Sequence, residues 1–152
     1  MSPSRFLELK YGATLSTIAK LQQEYEATIA RKTGGLVFCD TNATATTLWQ
    51  RRYMNRITDD VATIAKKDIV DIYLVTGDEI PFEDDGTRDG EHIRHDMHDW
   101  FVDLTKKSGK PFTVLRGSRE ERLAAACAFI DALLPKLSTI TPAEQVTDTI
   151  AL

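Results

Sequence analysis

The sequence predicts an α/β fold, with a small parallel sheet of about three strands between flanking helices. Three short apolar segments, at 36–39, 69–75 and 112–115, have the length and composition of strands. Stretches with apolar residues at helical spacing separate these segments along the chain. Strands that alternate with helices pair in parallel through right-handed crossovers. This order therefore indicates one α/β domain.

Length and composition limit the classes of protein to which this chain can belong. A chain of 152 residues suits one domain, and 42% hydrophobic residues is ordinary for a globular protein. The net charge of −4 predicts no nucleic-acid partner. No apolar run has the length of a membrane span or a signal-peptide core, so we expect a cytoplasmic protein without a membrane partner. We expect the domain to occupy residues 1–135 and a polar, mobile tail to occupy 136–152.

The first predicted helix covers residues 6–32 and ends at Thr33-Gly34-Gly35. Large side chains at three- and four-residue spacing predict its buried face: Leu15, Ile18, Leu21 or Gln22, Tyr25 and Ile29. Shorter helices are predicted over 42–52 and 58–67, and an amphipathic helix over 91–107.

The last predicted helix begins at Ser118, which forms a capping-box pattern with Glu121, and is closed by Pro135. Its predicted inward residues include Leu123, Ala126 and Ile130. The two cysteines, Cys39 and Cys127, lie in apolar runs and are expected in the core.

Asp40 is the first candidate for chemistry. It follows Leu36–Cys39, an apolar segment that predicts a strand buried on both faces. Ligands of open α/β sheets bind at the carboxyl ends of the strands, and Asp78 follows the second strand in the same way. The alternative is that this segment caps the next helix through Thr41 or Asn42.

The loop over 77–90, with sequence GDEIPFEDDGTRDG, is too acidic and too rich in glycine for a core element. Long loops of this kind are often lids or binding loops.

Two segments carry a resemblance to a known family. DTNATATTLW follows the first strand and DEIPFEDDGTRDG follows the second. Together they resemble the nicotinamide-riboside-kinase domain of the NadR type, within the broader group of AAA P-loop ATPases and kinases. The family pattern has Asp-Thr-Asp with two later threonines, where this chain has Asp40–Asn42 and Thr46-Thr47. Its second pattern has Asp or Asn, Pro-Trp and Asp-Gly-x-Arg, matched by Asp78, Pro81-Phe82 and 85–88.

The resemblance covers roughly residues 10–135 and implies a three-layer parallel sheet of the P-loop kinase type. It implies phosphoryl transfer from ATP, with Mg²⁺, to a nucleoside similar to nicotinamide riboside. The implied catalytic residues are Asp40, which would hold hydrated Mg²⁺ or accept a proton from a ribose hydroxyl, and Arg88, which would stabilise the transferring phosphate. The implied substrate-binding residues are Thr41, Asn42, Asp78, Phe82 and Asp85.

Two of these residues have simpler interpretations. Phe82, which replaces the family's tryptophan, would stack on the nucleoside or merely anchor its loop. Arg88 would reach the phosphate or simply pair with Glu83, Asp84 or Asp89. Asn42 replaces an aspartate of the family pattern and removes one charge.

The family's phosphate-binding segment, Gly-x-x-x-x-Gly-Lys-Ser/Thr, does not occur in these 152 residues. We interpret the chain as N-terminally truncated relative to the family. ATP binding and activity would then need a P-loop from a missing segment or a partner. In the family, the P-loop strand separates the two strands that end at Asp40 and Val75. We expect these strands to close up and pair, or another chain to fill the gap, because unpaired buried edges are unfavourable.

Two other classes of function remain open. One is a non-catalytic module that binds a nucleotide, a nucleoside or a protein. The other is a homodimer formed through the exposed sheet edge.

The histidines all lie in one predicted helix, as His92, His95 and His98. A zinc or nickel site is one interpretation of this spacing. A solvated polar face opposite Trp100 and Phe101 is the interpretation that we favour.

Overall fold

The computed structural model describes residues 14–82 and 90–137. Five α-helices and two strands follow in order: α1 (Leu15–Thr33), α2 (Ala43–Met54), α3 (Asp59–Ala65), β1 (Tyr73–Thr76), α4 (Arg94–Ser108), β2 (Phe112–Leu115) and α5 (Arg119–Leu137). A 3-10 turn, Glu91–Ile93, leads into α4. The start of the predicted first helix, Asp85, Arg88 and the predicted tail beyond Leu137 lie outside the described residues.

The described sheet has two parallel strands, which confirms the α/β class. Tyr73 pairs with Phe112 and Thr76 pairs with Leu115. The Tyr73 N–H donates to Pro111 O (3.0 Å) and the Gly77 N–H donates to Leu115 O (2.8 Å), one at each end of the ladder. β2 has its predicted bounds, whereas β1 begins at Tyr73 rather than at residue 69. β1 is short because its partner strand follows Pro111, which has no N–H to extend the ladder.

The predicted strand Leu36–Cys39 is wrong as a strand. The segment has no hydrogen-bonded neighbour in the described structure, and the side chains of Leu36 and Phe38 are 53% and 69% exposed. The two segments predicted to flank a missing strand therefore do not pair with each other. An apolar segment forms a buried strand only when a neighbouring strand satisfies its backbone groups. Cys39 and Cys127 are also exposed, contrary to their predicted place in the core.

Helices α1, α2 and α3 pack on one another and form the main apolar core, with Ala19, Ala43 and Val61 fully buried. The predicted inward face of α1 is only partly correct: Ile18, Leu21 and Tyr25 are exposed, whereas Leu15, Gln22 and Ile29 are half-buried. The buried residue of α1 is Ala19, whose small side chain allows the helices to approach closely. Periodicity indicates that apolar residues share a face, but tertiary packing decided which face is covered.

The start of α2 is held by two side chains. Asn42 Oδ1 accepts from the Ala45 N–H at 2.8 Å. Asp68 Oδ2 accepts from the N–H and the hydroxyl of Thr44, at 2.6 and 2.5 Å. Asp68 Oδ1 accepts from Gln23 Nε2 of α1 at 3.1 Å. Asp68 therefore caps α2 and joins it to α1, which suits a carboxylate at a helix N-terminus.

Helix α4 packs against β1, β2 and α2, and its residues Met97 and Thr105 are buried. The predicted capping box of α5 is confirmed: the Ser118 N–H donates to Glu121 Oε2 (2.7 Å) and the Glu121 N–H donates to Ser118 Oγ (3.2 Å).

Helix α5 continues past Pro135 to Leu137, so its predicted end was wrong. Proline removes one hydrogen bond, but its φ is compatible with the helix. Ala126 and Ile130 of α5 are buried as predicted, whereas Leu123 is exposed. No helix among the described residues is long and apolar enough to cross a membrane.

Candidate functional site

A groove of about 1080 Å³ separates Leu36–Asp40 from β1. One face of α1 and one face of α4 also line this groove. Both segments that carry the family resemblance reach it, because Asp40–Asn42 and Asp78 with Phe82 are among its lining residues. The fold thus brings together two motifs that are distant in sequence.

Thr41, one of the lining residues of the groove, has an unusual backbone conformation. Its φ is 65°, in the left-handed region that β-branched residues rarely adopt. Such strained positions cluster at functional sites. Thr41 Oγ1 accepts a long hydrogen bond from Gln22 Nε2 of α1 (3.4 Å). The strained residue directly follows Asp40 and therefore fixes the direction in which the chain leaves that carboxylate.

Asp40 and Asn42 have different environments. Asp40 is exposed, and its carboxylate makes no hydrogen bond or ion pair with another residue of the described ranges. Asn42 is buried and its Oδ1 caps α2, so the helix-capping interpretation from the sequence is correct for this residue. Asp40 is therefore the carboxylate of this segment that remains available to a ligand.

Asp78 lies in a charged cluster at the end of β1. His95 Nδ1 is 2.6 Å from Asp78 Oδ2, and Arg116 Nη1 donates to Asp78 Oδ1 at 3.1 Å. Arg116 Nη1 also donates to Glu79 Oε2 at 2.9 Å. The hydrogen bond from His95, followed by backbone hydrogen bonding, lowers the pKa of Asp78 well below its usual range. The Asp78 carboxylate is thus negatively charged, and each of its two oxygens already has a hydrogen-bond partner.

The lowered pKa of Asp78 predicts how the stability of the fold changes at acidic pH. Because the folded-state pKa of Asp78 is below the ordinary value of about 4, its stabilising contribution is present above pH ~4 and is lost as the pH falls further. We expect Asp78→Asn to lower the denaturant midpoint of unfolding at pH 7. The difference in midpoint between this variant and the unmodified protein should become smaller at pH 3. The facing groups His95, His98, Arg116 and Glu79 remain unchanged in this variant.

Asp99→Asn, on the exposed side of α4, is the matched control and should leave the midpoint unchanged at both pH values. If the difference in midpoint between Asp78→Asn and the unmodified protein is equal at pH 7 and pH 3, the Asp78 charge does not stabilise the fold.

Arg94 of α4 fixes the start of the loop that carries Phe82. Its Nη2 donates to Asp78 O at 2.6 Å and its Nη1 donates to Ile80 O at 2.8 Å. Both Arg94 and Phe82 line the groove. The sequence does not identify Arg94 and Arg116, because an arginine that binds backbone carbonyls or a distant carboxylate has no local pattern.

Aromatic side chains of α2 also line the groove. The Trp49 and Tyr53 rings stack with centroids 6.2 Å apart. The Arg52 guanidinium lies over the Tyr53 ring (4.9 Å) and the Trp49 ring (5.7 Å). All three side chains line the groove, so its wall offers flat π surfaces and a delocalised cation. Trp49 and Tyr53 match no residue of the family pattern, so nothing in the sequence marks them as residues of a groove.

The histidines are divided between two environments. His95 and His92 are exposed, whereas the His98 side chain is 9% exposed and lines the groove. The solvated-face interpretation is therefore wrong for His98. No group of three or more potential metal ligands occurs among the described residues, which gives the zinc or nickel interpretation no support.

Comparison with known proteins identifies the family. A family model described as an AAA domain matches residues 7–122. No curated protein and no solved structure matches the chain. Since the family model covers most of the sequence, the chain belongs to the AAA domain family, whose members are P-loop-type nucleotide-binding proteins that use ATP and Mg²⁺.

Proposed function

We propose that this member of the AAA domain family forms the nucleoside-binding side of a phosphoryl-transfer site. The acceptor would be a nucleoside similar to nicotinamide riboside, as the NadR resemblance implies. The phosphate-binding loop would come from a segment outside these 152 residues or from a partner, so the chain alone would be inactive.

One observation carries this proposal: the two resemblance motifs line a single groove together with the Trp49–Tyr53 aromatic wall. Nucleoside sites combine flat apolar surfaces for the base with a few polar groups that orient the sugar. Phe82 lies in the same groove and supplies a third ring. These rings and polar groups support a base and its ribose as the occupant of the groove.

The groove has a carboxylate that would suit Mg²⁺ bound together with a nucleotide. Mg²⁺ is usually bound by one or two carboxylates, several waters and the phosphates of the nucleotide. Asp40 is an exposed carboxylate without a partner among the described residues, which suits that role. The bound ion would neutralise phosphate charge. Asp40 would orient the hydrated ion or accept a proton from the ribose hydroxyl.

The remaining implied residues have more limited roles in this proposal. Thr41 would position Asp40 through its strained backbone, and Asn42 would act through its cap on α2. Asp78, held by His95 and Arg116, would accept a hydrogen bond from the sugar only as part of that cluster. Asp85 and Arg88 keep the roles implied by the resemblance, with Arg88 reaching the transferring phosphate.

Calorimetry of the 152-residue chain tests the proposal. We expect nicotinamide riboside to bind, and ATP with Mg²⁺ to show no tight binding. Phe82→Ala and Trp49→Ala should each weaken nucleoside binding about tenfold, the equivalent of one stacking contact of about 1.4 kcal/mol. Tyr25→Ala is the matched control, because Tyr25 is exposed and does not line the groove.

Tight ATP binding by the chain alone would contradict the proposal. Nucleoside binding that is unchanged in both Phe82→Ala and Trp49→Ala would also contradict it. A second candidate function, a non-catalytic nucleoside-binding module, is favoured by the sequestered carboxylate of Asp78. It predicts that nucleoside binding persists while adding a separate P-loop segment yields no phosphoryl transfer.

A further inference from the structure

The segment that carries Asp40 is held by contacts from helix α1. Asp40 is exposed, and its carboxylate has no partner among the residues that the structure describes, so the backbone of its chain neighbours sets its direction. The following residue, Thr41, has a φ of 65°, which a β-branched residue rarely adopts. A backbone conformation of this kind persists only where the surrounding structure holds it. The contacts of Thr41 are therefore part of what directs the Asp40 carboxylate.

The side-chain amide of Gln22 in α1 supplies such a contact. Its Nε2 donates to Thr41 Oγ1 at 3.4 Å and to Glu26 Oε1 at 3.0 Å. An amide nitrogen carries two hydrogens, so one N–H is available for each acceptor. Gln22 and Glu26 lie four residues apart on the same face of the helix. The shorter hydrogen bond to Glu26 therefore orients the amide, and the second N–H reaches Thr41.

The Glu26 side chain also interacts with the residue on the other side of Asp40. It forms a hydrogen bond with the side chain of Cys39. Desolvation, followed by the negative charge of Glu26, raises the pKa of the Cys39 thiol, so the thiol stays protonated at neutral pH and donates to the carboxylate. Glu26 thus contacts the residue before Asp40 directly and supports the residue after it through Gln22.

We propose that Gln22 and Glu26 are positioning residues of the candidate site, which set the direction of the Asp40 carboxylate by holding the residues on both sides of it. This role rests on the proposed function, in which Asp40 acts on a ribose hydroxyl or on hydrated Mg²⁺. Neither residue belongs to the two resemblance motifs, because α1 precedes both of them in the chain. Loss of either side chain should let Thr41 relax to a more common φ and turn Asp40 away from the ligand.

Nuclear Overhauser measurements on the chain without ligand test the backbone part of this role. The effect between the amide and α hydrogens of one residue is strongest at positive φ, where these two hydrogens are closest. We expect the strong effect at Thr41 to be lost in Gln22→Met, which keeps a long side chain but removes its donors. Glu26→Met should lose it too, whereas Glu26→Gln keeps an acceptor oxygen and should retain it. Glu24→Met is the matched control, because Glu24 forms an exposed pair with Lys20, also four residues away on α1.

Calorimetry with nicotinamide riboside tests whether Gln22 acts through Asp40. We expect Gln22→Met to weaken binding several-fold, and Asp40→Asn to weaken it about tenfold through the loss of a hydrogen bond to a charged group. The double variant should bind no more weakly than Asp40→Asn alone, because a positioning residue has no effect once the group that it positions is removed. Thr41→Asn should restore binding to Gln22→Met, since asparagine adopts a positive φ more readily than threonine. A purely structural role of Gln22 within α1 would not be restored by a change at residue 41.

Any of three results would overturn this role for Gln22. The first is a strong Overhauser effect at Thr41 that persists in Gln22→Met. The second is a double variant in which the losses of affinity from Gln22→Met and Asp40→Asn multiply, which would show independent actions. The third is an affinity of Gln22→Met that Thr41→Asn leaves unchanged. If the unmodified chain binds no nucleoside, the proposed function fails, and the Overhauser effect at Thr41 then decides by itself whether α1 holds this segment.

Discussion

Asp68→Ala is expected to lower the free energy of unfolding by about 2–3 kcal/mol, because two hydrogen bonds to a carboxylate are lost at the first turn of α2. The Thr44 N–H would be left without its acceptor, and Gln23 of α1 would lose its link to the same side chain. Denaturant unfolding at pH 7 measures the change.

Two further variants sharpen this test. Asp68→Asn keeps one acceptor oxygen for Thr44 and should lose only about 1 kcal/mol. Asp71→Ala removes an exposed carboxylate three residues later and should have little effect. If Asp68→Ala and Asp71→Ala lower the free energy of unfolding equally, negative charge in this segment stabilises the fold and the contact of Asp68 with Thr44 does not.

Arg94→Met should release the first part of the loop after β1 while the rest of the domain stays folded. The guanidinium donates to two backbone carbonyls, and hydrogen bonds from a charged group contribute about 1.5–3 kcal/mol. We therefore expect amide exchange between Asp78 and Phe82 to quicken by about tenfold or more. Nucleoside affinity should fall with it, since Phe82 would no longer be held in the groove.

Arg119→Met is the control for this variant, because Arg119 is an exposed arginine at the start of α5. Exchange between residues 78 and 82 should be unchanged in it. If Arg94→Met leaves that exchange unchanged as well, the two carbonyl contacts do not hold the loop.

Local signals identified most elements of the fold. The capping box of Ser118 and Glu121 and the bounds of β2 were predicted correctly, because each depends on a few neighbouring residues. The face of α1 was predicted only in part and the end of α5 was predicted wrongly, because packing against α2 and the tolerance of Pro135 are properties of the assembled chain.

The candidate site was predicted only in part. The resemblance motifs located Asp40, Thr41, Asp78 and Phe82, and all four line one groove. The contacts of Arg94, Arg116 and His95 were missed, because the sequence separation between each of them and its partner hides their proximity.

The sequence by itself determined the α/β class, the positions of the helices and the two motifs, since spacing and capping act over a few residues. The tertiary structure alone decided that Leu36–Cys39 lies across a groove from β1 without pairing. A strand needs hydrogen-bonding partners along its edge, and whether a partner is present is not encoded in the strand itself. The same segment that predicts a buried strand is therefore an open wall of the groove.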